Sequence, residues 1–154
     1  MIIRKGTHGD LQEMQQLFTD TVITVCKKDY NNAQLEAWKS GAENKERWEK
    51  VIQDQFVLVA LSHHRIVGFC TLEKGNYIDF LFVHKEYQHQ GIAQKLYKQI
   101  EEEALRQKQP RLTAEVSKTA KSFFEKAGFH VVTEQTVIVK GVGLINYTME
   151  KKLI

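Results

Sequence analysis

The stretch of sequence best suited to chemistry is YQHQGIA, residues 87–93, which follows an apolar run and precedes a helical pattern. A helix N-terminus presents unpaired main-chain N–H groups and the positive end of the helix dipole, so it can hold phosphate oxygens. Gly91 has no Cβ and lets a bulky diphosphate approach the main chain. No GK[ST] follows, and the three-glycine dinucleotide fingerprint is absent. The stretch predicts either a phosphate-binding turn or a simple turn before a helix.

A second candidate is Asp79, the one charged residue in the otherwise apolar run YIDFLFV. Strand alternation places it on one face with Leu81 and Val83, where a carboxylate is shielded from water and suited to accept a proton. The alternative is a structural carboxylate paired with a lysine, an arginine or a main-chain donor. His84 and His63 are weaker candidates for a base, because a strand end and a hairpin turn are ordinary surface positions for histidine.

The cysteines, the histidines and the net charge exclude several classes of site. Cys26 and Cys70 are too far apart for a CxxC pair and are predicted to be buried free thiols. The histidines have no partners at metal-ligand spacing, so no metal is predicted. A formal charge of +3, with lysines alternating with glutamates, argues against nucleic-acid binding. It suits a small phosphate-bearing ligand.

The elements that must position these residues form a single domain over residues 1–154, without linker or repeat. The first third is mostly helical, residues 56–73 predict a hairpin, and Tyr77 to Val83 predict a central strand. A helix over 89–106, a strand over 111–116, a helix over 119–127 and two final strands complete a mixed α/β sheet. The apolar runs are too short to cross a membrane and no signal peptide is visible, so a cytoplasmic location is expected.

The run FLFVHKEYQHQGIAQKLYKQIEEEA, followed by SKTAKSFFEKAGF, resembles the GCN5-related N-acetyltransferase (GNAT) superfamily. Gln88, Gly91 and Ala93 fill the defined positions of the signature Q/R-x-x-G-x-G/A. The second signature, A-x-x-[FL]-[YF]-E-K-x-G-F, is matched from Ala120 to Phe129. The order of the two signatures, with a helical first third and a final pair of strands, extends the resemblance over most of the chain.

The resemblance implies a GNAT fold, with a central, mostly antiparallel sheet of about seven strands, splayed in the middle and flanked by about four helices. Acetyl-CoA, as co-substrate, would lie where the strands at 79–83 and 112–116 separate. The implied cofactor contacts are main-chain groups of Leu81, Phe82 and Val83 for pantetheine, Gln88, His89, Gln90, Gly91, Ile92 and Ala93 for pyrophosphate, and Ser117, Phe123, Phe124 and Lys126 for the other wall. Core packing for the phenylalanines and a solvated helix face for Lys126 are the alternatives.

Two departures from the family pattern affect the expected mechanism. The family often has Asn at the position of Ser117 and Tyr at the position of Phe124, where a phenol can protonate the departing thiolate. Phe124 cannot donate a proton. Water, the hydroxyl of Tyr147 or of Tyr87, or departure of an unprotonated thiolate are the open alternatives.

The implied activity is direct transfer of an acetyl group from acetyl-CoA to a primary amine of a small molecule, peptide or protein. An alkyl amine has a pKa of about 10.4, so a base that takes its proton helps, and Asp79 is the first candidate. A main-chain N–H of Leu81 or Phe82 would stabilise the oxyanion. Tyr30 and Trp38 would wall the acceptor pocket, with plain core packing as the alternative.

The rival hypothesis from another class is a non-catalytic acyl-CoA-binding module that senses the cofactor, and Phe124 is its main support. The sequence also suggests a homodimer, because the final strand VGLINYTM is apolar and small domains of this kind pair through exposed sheet edges.

Overall fold

The computed structural model describes all of residues 1–154, in seven strands and five α-helices. The strands are β1 (Ile2–Lys5), β2 (Phe56–Ser62), β3 (Arg65–Glu73), β4 (Tyr77–Val83), β5 (Arg111–Ser117), β6 (His130–Val139) and β7 (Val142–Lys152). The helices are α1 (Leu11–Val25), α2 (Asn32–Lys39), α3 (Lys45–Asp54), α4 (Ile92–Arg106) and α5 (Lys121–Lys126). The predicted mixed α/β class is confirmed. No helix is long and apolar enough to span a bilayer.

The strands form one sheet in the order β1-β2-β3-β4-β5-β7-β6, antiparallel except between β4 and β5. The parallel pairing is short, joining only Tyr77 with Thr113 and Ile78 with Ala114. β5 is paired with β7 along its whole length. Beyond Ile78 the edge of β4 therefore has no neighbouring strand, and the predicted splay in the middle of the sheet is confirmed.

A β-bulge lies at the point where the splay begins. Thr71 of β3 pairs with Phe80 and Leu72 pairs with Ile78, so Asp79 has no partner in the ladder. A bulge bends its strand and interrupts the alternation of side chains. Leu81 and Val83 consequently pack in the core beneath α4, whereas Asp79 reaches Arg47 of α3. The prediction that Asp79 shares a face with Leu81 and Val83 is therefore wrong.

Two hydrophobic cores cover the two faces of the sheet. One lies under α4 and α5 and includes Leu96 and Phe124, and the other lies under α1 to α3 and includes Phe18 and Trp48. The helix α4 buries Leu96, Ile100 and Ala104, which recur at a spacing of four along one face. This spacing attaches the helix to the sheet and fixes the position of its N-terminus.

Each core contains one of the two cysteines. Cys26 and Cys70 are free and buried, as predicted. Burial raises the pKa of the Cys26 thiol to about 11 and also raises the pKa of Cys70. Both side chains are therefore neutral thiols at physiological pH.

The edges of the sheet are β1 and β6, not the final strand. The residues VGLINYTM belong to β7, which is hydrogen-bonded to β5 on one side and to β6 on the other. The final strand is therefore not available as an exposed edge. The expectation that the final strand is an exposed edge is therefore wrong, because β5 and β6 flank it, and the homodimer itself stays a prediction.

Candidate active site

A cavity of about 450 Å³ opens where β4 and β5 separate. The lining from the sheet comes from residues 77–82 of β4 and 114–117 of β5. Phe18, Trp38 and Trp48, on the helices of the first third of the chain, close the side opposite α4. The cavity thus runs through the sheet and can bring together two molecules that enter from opposite faces.

The open edge of β4 offers main-chain hydrogen-bonding groups to this cavity. The N–H groups of Phe80 and His84 point away from the gap, to Thr71 Oγ1 at 3.1 Å and to Val67 O at 2.8 Å. Main-chain groups alternate in direction along a strand, so those of Leu81 and Val83 face the gap. The implied pantetheine contact therefore suits Leu81. Phe82 differs from the expectation, because its main chain faces β3 and its side chain lines the cavity.

The main-chain carbonyl of Val83 already takes part in hydrogen bonds within the chain. Its carbonyl oxygen accepts hydrogen bonds from Thr21 Oγ1 at 3.1 Å and from Gln88 Nε2 at 2.6 Å. The Gln88 side chain thereby ties the loop before α4 to the end of β4. This contact gives the glutamine of the first signature a positioning role.

The loop before α4 has the form of an anion site. His89 and Gly91 adopt positive φ angles of 60° and 81°, and Gly91 is the N-cap of α4. The helix therefore begins at Ile92, three residues later than the predicted start at His89. The N–H groups of residues 88–94 have no acceptor within the chain. They are free to bind oxygen atoms of a ligand.

The second wall is formed in part by the residues that the resemblance implies. Ser117 and Phe124 line the cavity, and Ser117 Oγ accepts a hydrogen bond from the N–H of Ala120 at 3.1 Å. Phe123 does not line the cavity, since its ring packs against Tyr97 with centroids 6.3 Å apart. Lys126 is exposed on α5 and forms no ion pair. Phe123 and Lys126 thus lie outside the cavity.

Asp79 lines the cavity as a paired carboxylate. Arg47 donates to both of its oxygens at 3.1 and 2.9 Å, and Gln55 Nε2 donates at 2.8 Å. The Asp79 side chain is only 8% exposed. The Arg47 guanidinium also lies 4.8 Å from the centroid of the Phe80 ring, and its pairing with Asp79 raises its own pKa. Asp79 is thus paired with an arginine, as in the structural alternative, and it also lies at the cavity wall, where a base would have to be.

Three polar residues at the cavity were not singled out from the sequence. Arg47 stands in the charged run KERWEK, which has the composition of a solvated helix face. Glu115 of β5 lines the cavity and has no ion-pair partner. Tyr77 lies beside it, and burial, followed by the charges of Glu115 and Asp79, raises the Tyr77 pKa to about 12. No local pattern marks these residues, because their proximity depends on how distant elements pack.

Tyr30 and Trp38 both line the cavity, and their rings meet edge to face with centroids 5.4 Å apart. The Tyr30 hydroxyl donates to Ile145 O at 2.7 Å and accepts from the Lys118 N–H at 2.9 Å. Burial raises the pKa of this phenol. Tyr30 thus joins the first third of the chain to β7 and to the loop after β5, while its ring serves as wall.

The remaining candidates lie elsewhere. Tyr147 of β7 pairs with Val116 of β5, and Lys121 Nζ lies 4.8 Å from the centroid of its ring. Tyr147 does not line the cavity. His84 is buried beside Arg65 at 2.8 Å, and burial, together with the Arg65 charge, lowers its pKa. His63 is exposed in the turn between β2 and β3. No three His, Cys, Asp or Glu side chains come together in a group that could hold a metal ion.

Comparisons with known proteins agree with this geometry. The family model described as the acetyltransferase (GNAT) domain matches residues 26–151. Over 150 residues the chain is 34% identical to the uncharacterized N-acetyltransferase YafP of Escherichia coli (strain K12), covering 97% of this chain and 95% of YafP.

Two solved structures are similar over nearly the whole chain. The GCN5-related N-acetyltransferase from Rhodopseudomonas palustris superposes with a TM-score of 0.95 at 29% identity, covering 99% of this chain and 95% of that one. The PaiA N-acetyltransferase from Thermoplasma acidophilum, solved in complex with coenzyme A, has the same fold, with a TM-score of 0.80, 22% identity and coverage of 99% and 98%. The chain therefore belongs, as its two signatures predict, to the GNAT family of acetyl-CoA-dependent N-acetyltransferases.

Proposed function

We propose that acetyl-CoA binds along the open edge of β4, with its thioester end in the cavity and its pyrophosphate on residues 88–93. One observation carries the proposal: Leu81 directs both main-chain groups into a gap that no strand fills. The free N–H groups at the start of α4 supply the anion site at the end of the same strand. PaiA, which shares the fold, was solved with coenzyme A.

The wall formed by β5 and α5 completes the binding site in this proposal. Ser117 and Phe124 contact the arm of the cofactor, because both line the cavity. Phe123 supports Phe124 from behind, with ring centroids 5.5 Å apart. Lys126, exposed on α5, is left for a phosphate of the cofactor.

The proposed reaction is direct transfer to a primary amine. The acceptor ammonium gives one proton to the base, and the resulting neutral amine attacks the thioester carbonyl carbon while the Leu81 N–H donates to the developing oxyanion. Collapse of the tetrahedral intermediate re-forms the carbonyl, breaks the C–S bond and releases the CoA thiolate. The second proton of the attacking nitrogen passes through water to this thiolate, so the products are the amide and the free CoA thiol. An acyl-enzyme is not required, and neither Cys26 nor Cys70 lines the cavity.

Asp79 is the proposed base, held in place by Arg47 and Gln55. It is a desolvated carboxylate at the bulge where the thioester would lie, which supports the assignment. Tyr147, the other residue predicted to act in proton transfer, stands outside the cavity, and its role stays a prediction. Replacing Tyr147 with Phe tests it: an unchanged kcat would leave water as the proton donor.

The proposed acceptor is the amine of a small molecule, and Tyr30 and Trp38 form the wall against which it binds. Hydrogen bonds from Tyr30 to Ile145 O and from Gln34 Nε2 to Gly143 O, at 2.7 and 3.0 Å, attach this region to β7. They hold the wall formed by Tyr30 and Trp38 in place beside a cavity of about 450 Å³. A cavity of this volume favours a compact acceptor over an extended peptide.

The experiment is calorimetric titration with acetyl-CoA and with CoA, followed by a panel of amines with release of free CoA thiol as the readout. Binding with amine-dependent release supports the proposal. Binding without release from any amine would instead favour the sensor module, and absence of binding would overturn the cofactor assignment.

A further inference from the structure

We infer that the acceptor is a small primary amine that carries a flat aromatic group and a single positive charge. This inference rests on the proposed function, because it names the class of substrate for the same cavity. It follows from three properties of the acceptor side: the aromatic composition of its wall, its volume, and its charge.

The wall of the acceptor side is a continuous cluster of aromatic rings. Trp38 and Phe82 are half-buried and face the cavity, with ring centroids 6.4 Å apart. Phe18 packs edge to face on Phe82 at 5.0 Å, and Trp48 stacks on Phe80 at 4.7 Å. Because aromatic rings prefer edge-to-face or offset contacts with one another, an incoming aromatic ring would extend this cluster.

The volume of the cavity limits the size of the acceptor. At about 450 Å³ the cavity lies near the small end of the range of roughly 300 to 1,000 Å³ found for small-molecule sites. The thioester end of the cofactor must share that volume. A polysaccharide-like or peptide acceptor does not suit a space of this size.

The charge of the lining matches one ammonium group. Asp79 and Glu115 are the two carboxylates and Arg47 is the one cation among the residues that line the cavity. Arg47 neutralises Asp79, so one unpaired carboxylate remains in the lining, on the exposed Glu115. A monoamine cation balances it, whereas a polyamine would bring further ammonium groups for which the lining offers no second unpaired carboxylate.

The test compares four primary amines at saturating acetyl-CoA: 2-phenylethylamine, 2-cyclohexylethylamine, hexylamine and spermidine. The phenyl and cyclohexyl compounds differ in the flatness of the ring, and simple apolar burial favours the larger cyclohexyl group. We expect kcat/KM for the phenyl compound to exceed that for the cyclohexyl and hexyl compounds by roughly tenfold, and spermidine to be the poorest acceptor.

Two variants test whether the preference for the phenyl compound comes from the aromatic wall of the cavity. Trp38→Leu and Phe82→Leu should each reduce the phenyl preference about threefold or more, while the acetyl-CoA Kd stays unchanged and reports intact folding. Phe56→Leu is the matched control, because Phe56 is a half-buried phenylalanine outside the cavity.

Each possible result of these assays either supports or overturns the inference. Equal or faster transfer to the cyclohexyl compound, the hexyl compound or spermidine overturns the inference and leaves the proposed acetyltransferase intact. Acetyl-CoA binding without transfer to any of the four amines overturns the inference as well, since the aromatic amine is then not an acceptor. Absence of acetyl-CoA binding overturns the proposed function with it.

Discussion

The regions proposed for the cofactor and for the acceptor, the two halves of the site, are constructed in different ways. The cofactor half, formed by the β4 edge and residues 88–93, offers main-chain N–H and C=O groups. The acceptor half, formed by Trp38, Phe82, Asp79 and Glu115, offers side chains from distant parts of the chain. A ligand held by main-chain groups depends on backbone geometry, whereas a ligand held by side chains depends on residue identity. The two halves should therefore tolerate substitution differently.

The strongest test of the acceptor half is Asp79→Asn. The change keeps the shape of the side chain and removes its charge, and general base catalysis typically contributes 10²-fold or more. We expect kcat to fall about 100-fold while the acetyl-CoA Kd stays the same. The dependence of kcat on pH separates a base from a positioning residue. If Asp79 is the base, the decrease of kcat at low pH should be absent in the variant. A kcat that is lower at every pH, with the same pH dependence as the wild type, would contradict that role.

The matching test of the cofactor half is Gly91→Val. Gly91 has a φ of 81°, a conformation that costs an L-residue roughly 1 to 2 kcal/mol, and nothing lies within 4 Å of an added Cβ. The strain should displace the N–H groups, so the acetyl-CoA Kd should rise at least about tenfold. Glu102→Val, on the exposed side of α4, is the control, and calorimetry is the measurement. An unchanged Kd would show that the cofactor half does not depend on this backbone conformation.

A smaller effect is expected at Tyr30, which attaches the acceptor half to β7 and to the loop after β5. Tyr30→Phe removes the hydrogen bonds to Ile145 O and from the Lys118 N–H, and a buried group without its partner costs roughly 1 to 3 kcal/mol. The free energy of unfolding in urea should fall by that amount. Tyr87→Phe should change it little, because only the hydroxyls of Tyr30 and Tyr97 form hydrogen bonds among the tyrosines. Equal free energies of unfolding for the two variants would contradict a stabilising role for the Tyr30 hydrogen bonds.

The smallest effect concerns His84, which follows β4 in the cofactor half. Burial and the Arg65 charge lower the His84 pKa in the folded chain, so the unfolded chain binds the proton more readily. The folded chain should therefore lose stability as the pH falls below the unfolded value of about 6.5. Urea unfolding between pH 5 and 7 measures this slope. In His84→Gln the free energy of unfolding should depend less on pH over this range. An unchanged pH dependence in that variant would show that other groups cause it.

The difference between the halves also explains what could be predicted from the sequence. The cofactor half depends on neighbours in the chain: Gly91, the start of α4 and the apolar strand before it are local signals. The bounds of β4 were predicted to the residue. The fold class followed from the same signals, because the order of helices and strands is local information.

The acceptor half could be predicted only in part: Tyr30, Trp38 and Asp79 were singled out and do line the cavity, whereas their partners and the geometry were missed for physical reasons. The bulge at Asp79 depends on the register between β3 and β4, which hydrophobic alternation within β4 does not encode. Arg47 reaches Asp79 from 32 residues away. The order of the last strands was also missed, since a hairpin signal does not say which of its two strands joins β5.

The burial of both cysteines has a practical consequence. Disulfide reagents react with thiolates, so Cys26 and Cys70 should be silent towards a chromogenic disulfide while the chain is folded. The colour formed during turnover then counts CoA alone, without background from the enzyme. In denaturant the same reagent should titrate two thiols per chain, so a single colorimetric assay also measures the fraction of protein that has unfolded.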